Sequence, residues 1–133
     1  MAHPSGAPEG DQTPQLRRII RCAREQLGAE PAYLWAKFPT YFVLRHGDRG
    51  KWFAVSGTVS REKLGLSGAV PLPILVVKCD PILLGSLLGT KGFLPAYHMS
   101  KTNWVTICLD DTVSDDTVIN LLTISYDLTK PLK

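Results

Sequence analysis

The segment YFVLRHGDRGKWFAVS, residues 41–56, contains two runs rich in aromatic and β-branched residues, Tyr41–His46 and Lys51–Ser56. Between them lie Gly47, Asp48, Arg49 and Gly50. Glycines at both ends of a four-residue break allow the tight reversal that antiparallel strands require, so the segment predicts a β-hairpin. Downstream, Val70–Lys78 is apolar on both alternating faces, the pattern of a strand covered on both sides. Pro71 and Pro73 cannot donate to a ladder, and regular pairing is expected only from about Ile74. Two more strands, Phe93–His98 and Trp104–Leu109, flank a polar reversal at Met99–Asn103 and predict a second hairpin. Arg61–Leu66 reads as a loop or a short helical turn.

Helices occupy the spaces between these strands. Thr13 can cap a helix that opens on Pro14 and stops at Gly28. Leu16, Ile20, Ala23 and Leu27 form its inner stripe, and Arg17, Arg21 and Arg24 form a basic stripe beside it. Asp80-Pro81 starts a second helix with Leu83, Leu84, Leu87 and Leu88 as its buried stripe and Gly89 as its stop. Ser114 caps a third, with Asp115 and Asp116 at the positive end of its dipole and Val118, Leu121, Leu122 and Ser125 facing inward. The order is αβββαββα. Grouped rather than alternating elements predict an α+β fold of two layers, a mainly antiparallel five-stranded sheet with three helices.

The chain has 133 residues, 44% hydrophobic and 20% charged, which suits one globular domain at residues 14–133 after a flexible tail at residues 1–13. The longest apolar run, Ala69–Val77, is broken by two prolines and is far short of a membrane span. The first residues have neither a basic start nor an apolar stretch, so a cytoplasmic location is expected. Three cysteines, Cys22, Cys79 and Cys108, are an odd number without close pairing, and they read as reduced core thiols. The net charge of +3 is unevenly spread: residues 14–101 hold 13 Lys or Arg against 5 Asp or Glu, and residues 102–133 hold 2 against 5. Such a division suits a molecule with one face that attracts polyanions, although solvated cations scattered over the surface would give the same count.

Five segments, taken together, resemble the small bacterial YjbR/MmcQ proteins. They are Phe38-Pro39; Gly50-Lys51-Trp52-Phe53-Ala54; Lys78-Cys79-Asp80-Pro81; Tyr97-His98-Met99 with Lys101 and Trp104; and Ser125-Tyr126-Asp127-Leu128. The resemblance implies the same αβββαββα order, in a fold of the type also seen in secretion chaperones. It also implies DNA binding through a double-wing arrangement. Ser100 and Asn103 depart from the family pattern, which has Asn and His there.

Arg45, His46, Arg49 and Lys51 surround the first reversal, and His98, Lys101 and Asn103 surround the second. Phosphate recognition needs cations, and sugar or base recognition needs planar or amide groups, so both tips carry suitable chemistry. Trp52 and Trp104 stand next to these cations; each is either a stacking platform for an unpaired base or a core residue. His98 could act as an acid, a base or a ligand, or simply bond locally. Cys79 precedes a helix start that could activate a thiol, but it ends an apolar strand and reads as buried. Ser125, Tyr126 and Asp127 read as a tie between the last helix and the sheet, made by the Tyr hydroxyl or the Asp carboxylate. No metal-ligand spacing and no phosphate-cradling glycine loop occurs, so no cofactor and no catalytic residue is assigned. The expected function is non-enzymatic DNA binding through Arg45, His46, Arg49, Lys51, Trp52, His98, Lys101, Asn103 and Trp104. The alternative is a protein-interaction or chaperone-like homodimer, motivated by the second apolar face of Val70–Val77. A hydrolase or redox enzyme using Cys79 or His98 is the third reading.

Overall fold

The computed structural model describes residues 13–131. The proposed tail at residues 1–13 therefore lies outside the described residues, apart from Thr13. That residue opens α1 (Pro14–Leu27): its hydroxyl accepts from the Leu16 amide at 3.2 Å and donates to the Leu109 carbonyl at 3.1 Å. Gly28 ends the helix at φ +65°, a conformation a side chain would strain. The strands are β1 (Phe42–Arg45), β2 (Trp52–Val59), β3 (Leu72–Lys78), β4 (Phe93–Pro95) and β5 (Trp104–Cys108). They form one antiparallel sheet in the order β1-β2-β3-β5-β4. The helices α2 (Pro81–Leu87) and α3 (Asp115–Leu128) complete the α+β fold, and a 3-10 turn at Arg61–Leu64 precedes β3.

β3 is central, and Leu72 to Val77 are all buried. Leu75 and Val77 face the helices with Leu16, Ile19, Leu121 and Leu122. Leu72, Ile74 and Val76 face the other way, under Tyr41, Leu64, Leu66, Tyr97 and Met99. The second apolar face, which motivated a partner chain, is thus covered in part by the chain's own loops. Both edges of the sheet are blunted as well. Ala32 exchanges two backbone hydrogen bonds of 3.0 Å with Val43 on the β1 edge, and β4 is three residues long and ends on Pro95.

Three expectations need correction. The ladder of β3 starts at Leu72, not Ile74, because Pro73 opposes Thr58 without needing to donate to it. The Pro73 carbonyl points away, accepting from Leu109 at 2.9 Å, and the Thr58 amide turns to the Thr40 hydroxyl. The fourth strand stops at Pro95 instead of His98, because His98 takes φ +61° and turns the chain. In α2 only Leu84 is buried; Leu83 and Leu87 are half-buried and Leu88 is exposed. A helix of seven residues makes only two turns and so buries few side chains, and it ends before Gly89.

α3 matches its reading: Val118, Leu121, Leu122 and Ser125 are its buried residues. The tie to the sheet is made by Ser125, however, and not by Tyr126 or Asp127. Its hydroxyl donates to the Phe53 carbonyl at 2.6 Å and accepts from the Lys78 amide at 2.9 Å. The β2–β3 ladder runs as far as Ala54↔Val77, so this hydroxyl bridges the next pair of backbone groups where the strands part.

Candidate functional site

The register decides where the two reversals lie. Ala54 of β2 pairs with Val77, so the tip of the β1–β2 hairpin is at the C-terminal end of β3. Lys78 of β3 pairs with Trp104, the first residue of β5, so the Met99–Asn103 reversal is at that end too. Both tips therefore project from one end of the sheet and flank β3, whose last residue, Lys78, stands between them. Three strand spacings separate the hairpin midlines, ~14 Å.

At the first tip, the His46 amide donates to the Lys51 carbonyl at 2.9 Å, and Gly47 sits at φ +64°. A Cβ at Gly50 would stand 1.9 Å from the His46 carbonyl oxygen, so only glycine closes this turn. Arg49 and Lys51 are exposed and Arg45 is half-buried; at the second tip Lys101 is exposed. The ion pairs among the described residues are Arg18 with Asp111 and Asp115, Arg24 with Glu30, and Lys130 with Asp127. The tip cations are in none of them. Lys78 was missed from the sequence because it reads as the end of an apolar strand; only the register reveals its place between the tips.

The remaining candidates are placed differently. His46 turns toward the helices, its ring 4.5 Å from Tyr126 and 5.2 Å from Phe53 between centroids. Its Nε2 lies 2.8 Å from the Thr129 hydroxyl. That hydroxyl donates to the Ser125 carbonyl at 2.8 Å, so the imidazole is the donor to it. Burial holds the His46 pKa below its ordinary value. Trp104 is 9% exposed and belongs to the core, with no face open for stacking. Asn103 is half-buried, and its carbonyl accepts from the Cys79 amide at 3.0 Å. Cys79 itself is buried, and burial, helped by the Asp80 charge, pushes its thiol pKa up, opposite to the shift a nucleophile needs. Cys22 and Cys108 are buried free thiols as well.

Trp52 and His98 lead to a feature the sequence did not disclose. A bulge sets Arg45 opposite Trp52 and Leu44 opposite Ala54, leaving Phe53 unpaired. Phe53 and Ala54 both belong to the helix-side core, and the break in alternation turns Trp52 to the opposite face. There it lines a cavity of about 620 Å³. Trp35, Phe38, Tyr41, Trp52 and Tyr97 contribute its aromatic lining, and Val55, Gly57, Ile74 and Val76 its strand lining. Trp35 meets Trp52 edge-on at 5.8 Å and Tyr41 at 6.4 Å. The Tyr41 and Tyr97 hydroxyls are 3.4 Å apart, and burial raises the Tyr41 pKa well above the ordinary phenol value. His98 stacks on Tyr97 at 4.0 Å, with the rings nearly parallel at 13°. Among the described residues no group of three His, Cys, Asp or Glu could hold a metal ion, and no helix is long and apolar enough to cross a membrane.

The family model described as YjbR matches residues 25–128, most of the chain. The chain belongs to the YjbR family. A curated relative, the uncharacterized protein YyaQ of Bacillus subtilis (strain 168), is 38% identical over 112 residues, covering 84% of this chain and 95% of YyaQ. A crystal structure of a Pseudomonas syringae protein is 34% identical with a TM-score of 0.82, covering 86% of this chain and 97% of that one. A solution structure from P. syringae, also 34% identical, has a TM-score of 0.76 over 86% and 91%. A Deinococcus radiodurans protein, 22% identical with a TM-score of 0.61 over 85% and 74%, shares the fold. The YjbR assignment accords with the segments that carried the resemblance, all but the last of which, ending at Leu128, lie well inside the matched residues.

Proposed function

We propose that the protein binds duplex DNA through the phosphate backbone, using the end of the sheet from which both reversals project. The observation that carries this reading is the convergence of Arg45, Arg49, Lys51 and Lys101 on one end of the sheet, outside every ion pair among the described residues. Cations released from internal acids retain their full attraction for a polyanion. The separation of the hairpin midlines, ~14 Å, is comparable with the major groove, about 12 Å wide, so the two tips can meet phosphates on either side of it. Lys78 adds a fifth cation between them. His98 and Asn103 supply hydrogen bonds near the second tip, while His46 holds the first tip to α3 and Trp104 anchors the second in the core. The cations carry most of this contact and reach phosphates, so the binding is of the sequence-tolerant kind.

Fluorescence anisotropy with a labelled duplex at low salt tests the reading. Arg49→Glu and Lys101→Glu, at opposite tips, should each weaken binding more than tenfold. Arg21→Glu, on the exposed surface of α1, should change it little. Equal losses from all three variants would mean diffuse attraction to the whole molecule, and no binding by the unaltered protein would refute the proposal.

A further inference from the structure

The cavity on the sheet face opposite the helices is a site that phosphate contact leaves unused. Its volume of about 620 Å³ lies within the range of roughly 300–1,000 Å³ common for small-molecule sites. The cavity is held open by its own walls. Gly57 has no side chain, and a Cβ there would stand 2.7 Å from the Tyr41 ring, so the ring lies directly over the strand. Phe38 packs on Tyr41 at 5.2 Å, Trp35 braces Tyr41 and Trp52, and the Tyr41 and Tyr97 hydroxyls meet. Rings braced in this way cannot fold into the space without losing these contacts.

Charge decides the class of occupant. Among the described residues that line the cavity there is no Asp or Glu, and the one ammonium group is that of Lys63, an exposed residue of the 3-10 turn. Aromatic walls by themselves would also suit a cation. A cation here, however, would meet Lys63 with no carboxylate to neutralise it. The lining runs along β2 from Trp52 to Val59, which gives room for an extended apolar body. We infer that the cavity binds a small anionic amphiphile, its apolar body between the aromatic walls and over Val55 and Val76, and its anionic head at Lys63.

Isothermal titration of the full chain with decanoate, and separately with decyltrimethylammonium, tests this. Decanoate should bind once per chain, at least tenfold more tightly than the cationic amphiphile. Lys63→Glu, in an exposed turn, should weaken decanoate at least tenfold, and Val55→Trp, from a half-buried position, should remove binding by filling the space. Arg49→Glu should leave decanoate binding unchanged, which separates this site from the DNA-contacting end whatever that end does. Absence of one-to-one decanoate binding, equal or tighter binding of the cation, or indifference to Lys63→Glu would each overturn the inference.

Discussion

Ser125 shows how much a single hydroxyl can hold. It satisfies the Phe53 carbonyl and the Lys78 amide at the point where β2 and β3 separate, the strand ends from which the basic tips project. Ser125→Ala leaves both backbone groups without that partner, and at about 1–3 kcal/mol for each buried unsatisfied group a loss of roughly 2–6 kcal/mol is expected. Urea denaturation measures it directly, and a change below ~0.5 kcal/mol would show that water replaces the hydroxyl freely. The neighbouring His46 has a pH signature. Its folded-state pKa lies below the ordinary value, mainly through burial, so the unfolded chain takes up the proton first. Stability from this group is complete above about pH 6.5 and declines as the pH falls below it. Thermal unfolding between pH 7 and pH 5 should show that decline, and His46→Gln should flatten it. The sequence exposed the existence of Ser125, Tyr126 and Asp127 as a tie but pointed to the wrong atoms. A serine hydroxyl bridging two strands depends on where the strands part, and no local pattern records that. His46 likewise read as a tip residue because its ring contacts, Phe53 and Tyr126, come from a bulge and from a helix 80 residues away in the chain.

At the scale of elements, the hairpins, the central strand and the order of helices were legible because each rests on local chemistry. Gly47 and Gly50 around a polar break, alternating or continuous apolar runs, and Thr13, Asp80 and Ser114 as caps all act within a few residues. What was illegible is how elements lean on one another. Gln15, a polar residue in the first turn of α1, is fully buried. It donates to the Val113 carbonyl at 2.7 Å and Asp115 at 3.0 Å, and accepts from the Asp111 amide at 2.9 Å. It joins the start of α1 to the start of α3. Gln15→Leu strips partners from the Asp111 amide and the Val113 carbonyl, and a loss of about 2–3 kcal/mol is expected by denaturant unfolding. Beside it, Arg18 holds the Asp115 carboxyl below its usual range, at 2.5 Å, and Gln15 adds to that effect. A lowered carboxylate pKa means stability that is present above about pH 4 and is lost as the pH falls through the folded value. Asp115→Asn should therefore lower the neutral plateau of the stability profile and flatten its acid limb, with stability at the lowest pH little changed.

For the whole molecule, the antiparallel register is what turns two separate reversals into neighbours. Each tip was visible in the sequence as a basic turn, but their common end depends on β3 pairing with β2 on one side and β5 on the other. The aromatic cavity was invisible for the same reason: Trp35, Tyr41, Trp52 and Tyr97 come from four different places in the chain and meet only across the sheet. The short, capped edges of the sheet leave little free backbone for strand addition. The most direct test of the joint action of the two tips is the salt dependence of duplex binding. With five phosphates neutralised by Arg45, Arg49, Lys51, Lys78 and Lys101, the slope of log affinity against log salt should be about −4.5, and removal of a cation from either tip should reduce its magnitude by about 1. A slope that ignores one of the tips, or no binding at low salt, would contradict it.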